Sequence, residues 1–519
     1  MPSAATTGAS ISSGRCSRSR PAEAGSSPTS AEAPTPRTSR LPEPGTPAFR
    51  LQLALLTALA LALRLATAVA TVDIPGDGPT RAALGWFWRE SPRLSFGGNW
   101  LPLGEVLVGL VAFLVPDPGW AARALSLTTG TLTVPVLASL CARITGPGPA
   151  LVAAALLAVL PIHVTLSASS LIDVPALFFT LLALRLATAL PAEGRSRPHL
   201  LALALVGGLA SGLRYEAWVL LLLLPLHRLL ATRKPLEGLL VAALLAPVPV
   251  FWIAFGLGGP AGLLDAFAQV GASGATVGGR TVSIGEAATI ATAKLALLAG
   301  PATLALAAAG LVLLARSRSS AADRLIWLAA TIGAFVFVIV IARERGPSFV
   351  DRYALAATVL ALPLATFAIA PALAELVRAA ALVAAIAGST IVATVLTPPE
   401  LYLARRFPGE VVELARWLDD NRRPGETLLF TRGGWLPTYV PLLHRIGRDE
   451  YRIVSWYLSE PALRAFIARG RPTFLLTRDG DEAFVERVRS AGAEPGESLA
   501  RFGRLEVRRL RLSTAEPRR

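Results

Sequence analysis

Residues 50–72 read RLQLALLTALALALRLATAVATV, an apolar run long enough to cross the roughly 30 Å hydrocarbon core of a bilayer as an α-helix. Similar runs of about 17 to 25 residues recur along the chain. The chain is 53% hydrophobic and only 16% charged, and its mean hydropathy is +0.54. Soluble domains contain about 25% charged residues. The sequence therefore predicts an α-helical polytopic membrane protein.

Hydropathy predicts about eleven spans. They lie at 50–72, 119–142, 148–168, 171–190, 199–213, 216–231, 236–256, 287–315, 322–342, 353–373 and 377–397. The run 101–115 is apolar but too short to cross the bilayer, so we predict that it is an interfacial or re-entrant helix.

Composition divides the chain into three regions. Residues 1–48 are mostly Ser, Pro, Ala, Thr, Gly and Arg, which predicts a disordered cytoplasmic tail without a secretory signal. Residues 49–397 hold the apolar runs. In residues 398–519, predicted strands and helices alternate, which indicates a small α/β domain. An odd number of spans places that domain outside the cytoplasm.

Charge is distributed asymmetrically between the two sets of loops. With the N-terminus inside, the inner loops are basic, as the positive-inside rule requires. These basic residues are Arg143, Arg195, Arg197, Arg228, Arg233, Lys234, Arg316, Arg318, Arg324 and Arg378. The outer loops receive Asp73, Asp77, Glu90, Glu105, Asp117, Asp173, Glu216, Asp265, Glu286, Glu344 and Asp351. Several of these acids lie at span ends, where burying a charge is costly, so we predict a functional outer face.

The remaining composition limits the classes of partner and chemistry. The net charge is +15, but the basic residues lie in the tail, the inner loops and the C-terminal region, which favours membrane lipids over nucleic acid. Only two cysteines are present, Cys16 and Cys141, so a disulfide framework or thiol metal site is not expected. The four histidines show neither metal-ligand spacing nor a nucleophile motif.

The first outer loop, Asp73-Ile-Pro-Gly-Asp77-Gly-Pro-Thr-Arg81, displays two carboxylates immediately after a span. Displacement at the anomeric carbon of a sugar needs a base for the proton of the acceptor hydroxyl, and a carboxylate can supply it. A phosphate leaving group in turn needs Arg, Lys or a metal ion. The structural alternative is that Asp73 caps a helix and Asp77 forms an Asx-turn.

Two short segments, one at Asp173 and one at Arg214 and Glu216, combine charge with a predicted outer span end. Asp173 begins a span with Pro175 in its first turn, so it is either a site residue or only an N-cap. Arg214 and Glu216 interrupt two apolar runs and either pair with each other or bind a phosphate and a sugar.

The loop 343–353 concentrates cations beside a span and contains Arg345, Arg352 and Tyr353. A phosphate headgroup would require such cations. The alternative is that these side chains only snorkel to the interface.

Together these segments resemble the GT-C superfamily of polytopic glycosyltransferases, in particular bacterial relatives of protein O-mannosyltransferases and lipid A aminoarabinose transferases. The resemblance covers residues 51–395 and the trailing α/β domain. Its motifs are Gly76-Asp77-Gly78-Pro79, Ile172-Asp173-Val174-Pro175 and Asp351-Arg352-Tyr353-Ala354-Leu355.

The resemblance implies an inverting transfer of a hexosyl or pentosyl group from a polyprenyl-phosphate donor. The acceptor would be a glycan, lipid or protein at the outer face of the bacterial plasma (inner) membrane. Asp77 would be the base, and the substrate-binding residues would be Asp73, Arg81, Asp173, Arg214, Glu216, Arg345, Arg352 and Tyr353. If a divalent metal ion takes part, Asp77 and Asp173 would hold it.

One departure limits the transfer of the family's properties to this chain. Protein mannosyltransferases have Glu after the first-loop Asp, whereas Gly78 follows Asp77 here, which puts a protein acceptor in doubt. A secondary transporter or lipid flippase is the alternative function. Transporters tend to show internal repeats and charges near the bilayer midplane, and this sequence shows no obvious repeat.

Overall fold

The computed structural model describes residues 46–73, 77–92, 100–189, 197–265, 268, 279–317, 321–370, 406–431, 439–444, 451–454, 460–470, 472–479 and 481–512. The predicted tail, up to residue 45, and the predicted last span 377–397 lie outside these residues.

The membrane region consists of helices. The first eight are α1 (Pro47–Val69), α2 (Asp77–Glu90), α3 (Leu103–Ala112), α4 (Pro118–Thr145), α5 (Pro147–Val159), α6 (Pro161–Ser167), α7 (Asp173–Ala189) and α8 (Arg197–Ser211). The next eight are α9 (Tyr215–Leu221), α10 (Leu223–Thr232), α11 (Pro235–Leu245), α12 (Pro247–Phe251), α13 (Ile284–Ala299), α14 (Pro301–Arg316), α15 (Ala321–Arg345) and α16 (Leu355–Ile369). A π-turn at Trp252–Gly256 follows α12, and 3₁₀ turns at Gly346–Ser348 and Asp351–Ala354 precede α16.

The full number of spans stays a prediction, because the predicted span 377–397 lies outside the described residues. Among the described residues, five helices are long and apolar enough to cross a membrane, or eight if each of three bent helix pairs is one span, against the eleven predicted. The short run 101–115 forms the 10-residue helix α3, which at about 1.5 Å per residue is too short to span a bilayer.

The predicted span 287–315 is not one straight helix, because the chain turns by 110° between α13 and α14. Gly300 adopts φ +85°, a conformation that other residues rarely adopt, and Pro301 begins the second helix. The predicted spans 148–168 and 236–256 are also bent, by 58° and 48°, where a proline begins the second helix of each pair. Hydropathy averaged over a window does not detect such breaks.

Arg64 lies inside the membrane region and stabilises one of these breaks. The sequence predicts that it snorkels or pairs with a carboxylate, but the side chain is fully buried against the α5–α6 junction. Pro161 has no N–H for the carbonyl of Leu157 four residues earlier. Arg64 donates to that carbonyl at 3.2 Å and to the carbonyl of Ala158 at 3.0 Å, and it contacts Nδ1 of His163 at 2.7 Å.

The C-terminal region forms the small α/β domain that the sequence predicts. Its elements are α17 (Gly409–Asn421), β1 (Leu428–Thr431), α18 (Val440–His444), β2 (Tyr451–Val454), α19 (Glu460–Gly470), β3 (Phe474–Arg478), α20 (Glu482–Ser490), β4 (Ala493–Phe502) and β5 (Leu505–Leu512). The sheet order is β2-β1-β3-β5-β4; the first three strands are parallel, and β5 is antiparallel to β3 and β4. The β4–β5 hairpin was not predicted.

This domain packs against the membrane region through α2. Ala83 and Phe87 of α2 share an apolar cluster with Leu414 of α17, Phe430 of β1 and Val440 of α18. The domain therefore lies at the end of the helical bundle where α1 is connected to α2.

Candidate active site

Three guanidinium groups surround the ring of Tyr353. The distances from the guanidinium carbon to the ring centroid are 5.3 Å for Arg214, 5.9 Å for Arg345 and 5.3 Å for Arg352. These arginines precede α9, end α15 and lie in the 3₁₀ turn before α16, so tertiary folding brings them together. Guanidinium groups on an aromatic face are stabilised by cation–π attraction.

Asp77 joins this cluster from a distant part of the sequence. Its Oδ2 lies 2.5 Å from Nη2 of Arg352, 275 residues further along the chain. Asp77 is in the first turn of α2, where the helix dipole stabilises a negative charge. Its side chain is 35% exposed, whereas that of Arg352 is 14% exposed, so the carboxylate remains accessible.

Arg214 connects two further predicted site residues. Its Nη1 lies 2.8 Å from Oδ1 of Asp173, and its Nε donates to Oε1 of Glu216 at 2.9 Å. The pairing of Arg214 with Glu216 that the sequence allowed is therefore present, and Asp173 is paired as well as beginning α7. Asp173 is only 3% exposed, so it orients Arg214 from a buried position.

Asp73 is buried at the meeting point of three segments. Its Oδ1 accepts the backbone N–H of Ser170 at 3.0 Å. It also lies over Gly78, where an added Cβ would be 3.0 Å from the same oxygen, so a larger side chain at position 78 would press on this carboxylate. Burial raises the pKa of Tyr439 in the C-terminal domain, and the charge of nearby Asp73 raises it further. Asp73 therefore connects the end of the segment after α1 to the loop before α7 and to the first turn of α2.

Arg81 lies apart from the Tyr353 ring. Its guanidinium stacks on Trp100 at 3.9 Å from the ring centroid, and its Nη1 is beside Gly104 of α3.

The structure brings seven of the predicted site residues into one cluster of ion pairs and cation–π contacts. These are Asp77, Asp173, Arg214, Glu216, Arg345, Arg352 and Tyr353.

Sequence reasoning missed two residues that support the cluster. Lys294 of α13 is 2.7 Å from Asp351, the neighbour of Arg352. Trp252 is 1% exposed and donates from Nε1 to the hydroxyl of Tyr215, the neighbour of Arg214, at 3.1 Å. A charged residue inside an apolar run was the available signal for Lys294.

The acids of the cluster do not form an evident metal site. Within the described ranges, no three His, Cys, Asp or Glu side chains are grouped as metal ligands. Asp77 and Asp173, the two predicted ligands, are each paired with an arginine, which places a fixed positive charge at each carboxylate.

Comparison with known proteins gives both a family match and a fold match. Residues 101–253 match the family described as dolichyl-phosphate-mannose-protein mannosyltransferase. ArnT from Cupriavidus metallidurans, bound to undecaprenyl phosphate, superposes with a TM-score of 0.60 at 13% identity, over 88% of this chain and 97% of that chain. The chain has the GT-C fold. The fold that the sequence resemblance implies is therefore confirmed.

A second GT-C structure supports the same fold. The oligosaccharyltransferase AglB from Archaeoglobus fulgidus, in complex with an inhibitory peptide and a dolichol-phosphate, gives a TM-score of 0.53 at 12% identity, over 86% of this chain and 71% of that chain. No curated protein sequence matches this chain. The matched family segment contains Asp173, Arg214 and Glu216, whereas Asp77 and Arg352 lie outside it.

Proposed function

We propose that the chain is a membrane glycosyltransferase that moves a sugar from a polyprenyl-phosphate-linked donor to an acceptor, with Asp77 as the general base. The observation that carries this proposal is the pairing of the accessible Asp77 with Arg352, beside a ring that Arg214 and Arg345 also face. One arrangement thus combines a base with the cations that a phosphate leaving group needs.

The reaction is a single displacement at the anomeric carbon. The acceptor hydroxyl loses its proton to Asp77 while its oxygen bonds to the sugar carbon. The bond from that carbon to the phosphate oxygen breaks, and the electron pair leaves with the polyprenyl phosphate. Arg352 and its neighbouring arginines stabilise the charge that develops on the phosphate. A single displacement inverts the anomeric configuration.

Exposure favours Asp77 over Asp173 as the base. The Asp77 side chain is 35% exposed, and that of Asp173 is 3% exposed and engaged by Arg214. A base must come within hydrogen-bond reach of the acceptor hydroxyl, which a carboxylate sealed behind an arginine does not do. Asp173 and Glu216 instead fix Arg214, while Asp73 lies against Gly78 in the first turn of α2 and Arg81 of α2 stacks on Trp100.

The donor class is supported by the proteins that share the fold. The matching structures contain undecaprenyl phosphate in ArnT and a dolichol-phosphate in AglB. We assign the reaction to the outer face of a bacterial inner membrane, with a glycan, lipid or protein acceptor. This assignment is supported by the basic inner loops of the sequence and by the gathering of predicted outer residues in the site. The proposed steps do not pass through a metal ion.

Lipid analysis of a deletion strain tests this function whichever sugar the enzyme transfers. Without the enzyme, its polyprenyl-phosphate sugar should accumulate, and the wild-type gene should remove it. Asp77→Asn should not, because the amide keeps the shape but cannot take a proton, and we expect transfer to fall by about 100-fold or more. Asp73→Asn should cost less, because Asp73 holds the loop.

Two results would contradict the proposal in different ways. A deletion strain with no accumulated donor would remove the transferase hypothesis and favour a transporter. Removal of the donor by Asp77→Asn at wild-type membrane abundance would show that the base lies elsewhere.

A further inference from the structure

Lys294 is a charged residue in the second half of α13, and the other charged residue of this helix is Glu286 in its first turn. The Nζ of Lys294 is 2.7 Å from Oδ1 of Asp351. The two side chains are 23% and 7% exposed. A charge within the membrane region is costly unless it is paired, so the position of Lys294 calls for a reason beyond packing. Lys is also rare in this chain, which has only Lys234 besides Lys294.

Asp351 begins the short turn that carries the site. The 3₁₀ turn Asp351–Ala354 contains Arg352 and Tyr353, and the backbone N–H of Tyr353 donates to the carbonyl of Val350 at 3.1 Å. Because a turn of this size has few hydrogen bonds of its own, an ion pair on its first residue constrains the direction of the next side chain. The next side chain is the guanidinium that pairs with Asp77.

The other end of the same loop is held by the segment before α13. The backbone N–H of Val282 donates to the carbonyl of Arg343, near the end of α15, at 2.9 Å. Arg345 follows two residues later and faces Tyr353. The loop that supplies two of the three guanidinium groups is therefore attached at both ends to α13 and the residues that precede it.

We infer that Lys294 is a positioning residue for the phosphate site: its ion pair with Asp351 holds the 343–354 loop in the register that aims Arg352 at Asp77 and at the donor phosphate. This inference rests on the proposed function. Lys294 acts through Arg352 and does not itself contact the reacting atoms. Its loss should impair donor use by displacing a cation, and displacements of about 1 Å at a reacting group cost about 100-fold in rate.

The test removes both charges so that no lone ion is left buried. In Lys294→Met/Asp351→Asn, kcat/KM for the polyprenyl-phosphate sugar extracted from the deletion strain should fall by about 10- to 100-fold at matched protein abundance. Lys294→Arg keeps the cation and should stay within a few-fold of wild type. If the double variant does not reach the membrane, Lys294→Gln is measured instead, because Gln keeps a hydrogen-bond donor for Asp351. The expected loss in kcat/KM is the same as for the double variant.

A second ion pair supplies the matched control. Arg228 and Glu237 are 6% and 9% exposed and connect α10 to α11 away from Tyr353. Arg228→Met/Glu237→Gln makes the same kind of change in a pair whose cation is more deeply buried than Lys294, and it should leave the donor kinetics unchanged. If both double variants lose donor use equally, Lys294 has only a structural role and the inference is overturned.

A double-mutant cycle with Arg352 separates positioning from general damage. Residues that act through one another give less than additive effects. With Arg352→Lys already present, removing the Lys294–Asp351 pair should cost only a few-fold more, whereas additive losses would overturn the inference. If wild type consumes the donor and Arg352→Lys does not, yet the Lys294→Met/Asp351→Asn variant is normal, the inference alone fails. If wild type does not consume it, the proposed function fails, and the inference with it.

Discussion

Two clusters of arginines and carboxylates lie at opposite ends of the same helices. Arg214 begins the 18-residue helical segment Tyr215–Thr232 and Arg228 lies near its other end, about 20 Å away at about 1.5 Å per residue. Likewise, α15 carries Asp323 in its first turn and Arg345 in its last. One end forms the candidate site. The other forms a second cluster, the Arg228–Glu237 and His227–Asp323 pairs.

The clusters differ in how their charges are arranged. In the second cluster, Arg228 and Glu237 come from consecutive helices and are nearly buried, as expected of a pair that ties a helical hairpin together. In the site, three guanidinium groups converge on the ring of Tyr353. The paired residues Asp77 and Arg352 are 275 positions apart in the sequence. Convergence of like charges is unfavourable unless anions compensate it: here Asp77, Asp173 and Glu216 do so in part, and the donor phosphate would do so under the proposed function. Ion pairing alone therefore does not indicate a site, whereas crowding of like charges around an accessible acid does.

The largest expected effect concerns which side of the membrane each cluster faces. The C-terminal domain packs on α2, which carries Asp77, so a fusion of alkaline phosphatase after Arg519 should be active in the bacterial envelope. A fusion after Arg233, beside the second cluster, should be inactive. The reverse pattern would place the site on the cytoplasmic side and remove the outer-face assignment.

The next effect separates the clusters by chemistry. Arg352→Lys should lower donor use by about 10- to 100-fold, because Lys lacks the planar fork that binds phosphate and carboxylate bidentately. Arg228→Lys makes the same substitution in the second cluster and should leave transfer unchanged. The measurement is consumption of the extracted donor at matched abundance.

Equal losses from these two lysine variants would mean that both arginines act through stability. The distinction drawn between the clusters would then be lost. Wild-type turnover in Arg352→Lys would instead remove that residue from the site.

Glu237→Gln should have the smallest effect on turnover and the clearest effect on the free energy of unfolding. Glu237→Gln removes the carboxylate that faces Arg228 in a nearly buried position. Loss of one partner of a buried pair costs about 3 to 5 kcal/mol, so the unfolding midpoint in detergent should fall. Transfer measured well below that midpoint should remain normal. A variant as stable as wild type would show that the pair is solvated.

Hydropathy predicted most of the membrane helices because the free-energy cost of burying a segment in lipid depends on the composition of that segment, which the sequence gives directly. It failed where the path of the chain depends on single residues. The span predicted at 287–315 contains a continuous apolar run, and only the left-handed Gly300 before Pro301 divides it. The hairpin β4–β5 was missed because β4 contains Pro495 and Gly496 and is largely exposed, so it lacks a clear alternation of buried and exposed residues.

The site was predicted as a set of residues but not as a set of contacts. Loop charge and the motif order selected Asp77, Asp173 and Arg352. The pairing of Asp77 with Arg352 depends on how α2 packs beside the turn before α16, which local sequence does not specify. Lys294 was missed for the opposite reason, because its apolar neighbours placed it within a span and its partner is far along the chain.

The packing of α2 has a consequence for biosynthesis. The helix that begins with Asp77 is made early, yet its apolar face is completed by α17, β1 and α18, which are made more than 300 residues later. A nascent chain that has inserted its first helices therefore still lacks the surface that fixes Asp77. Under the proposed function, the chain would become competent only after the last domain has emerged and folded, and incomplete chains would not draw on the lipid donor pool during translation.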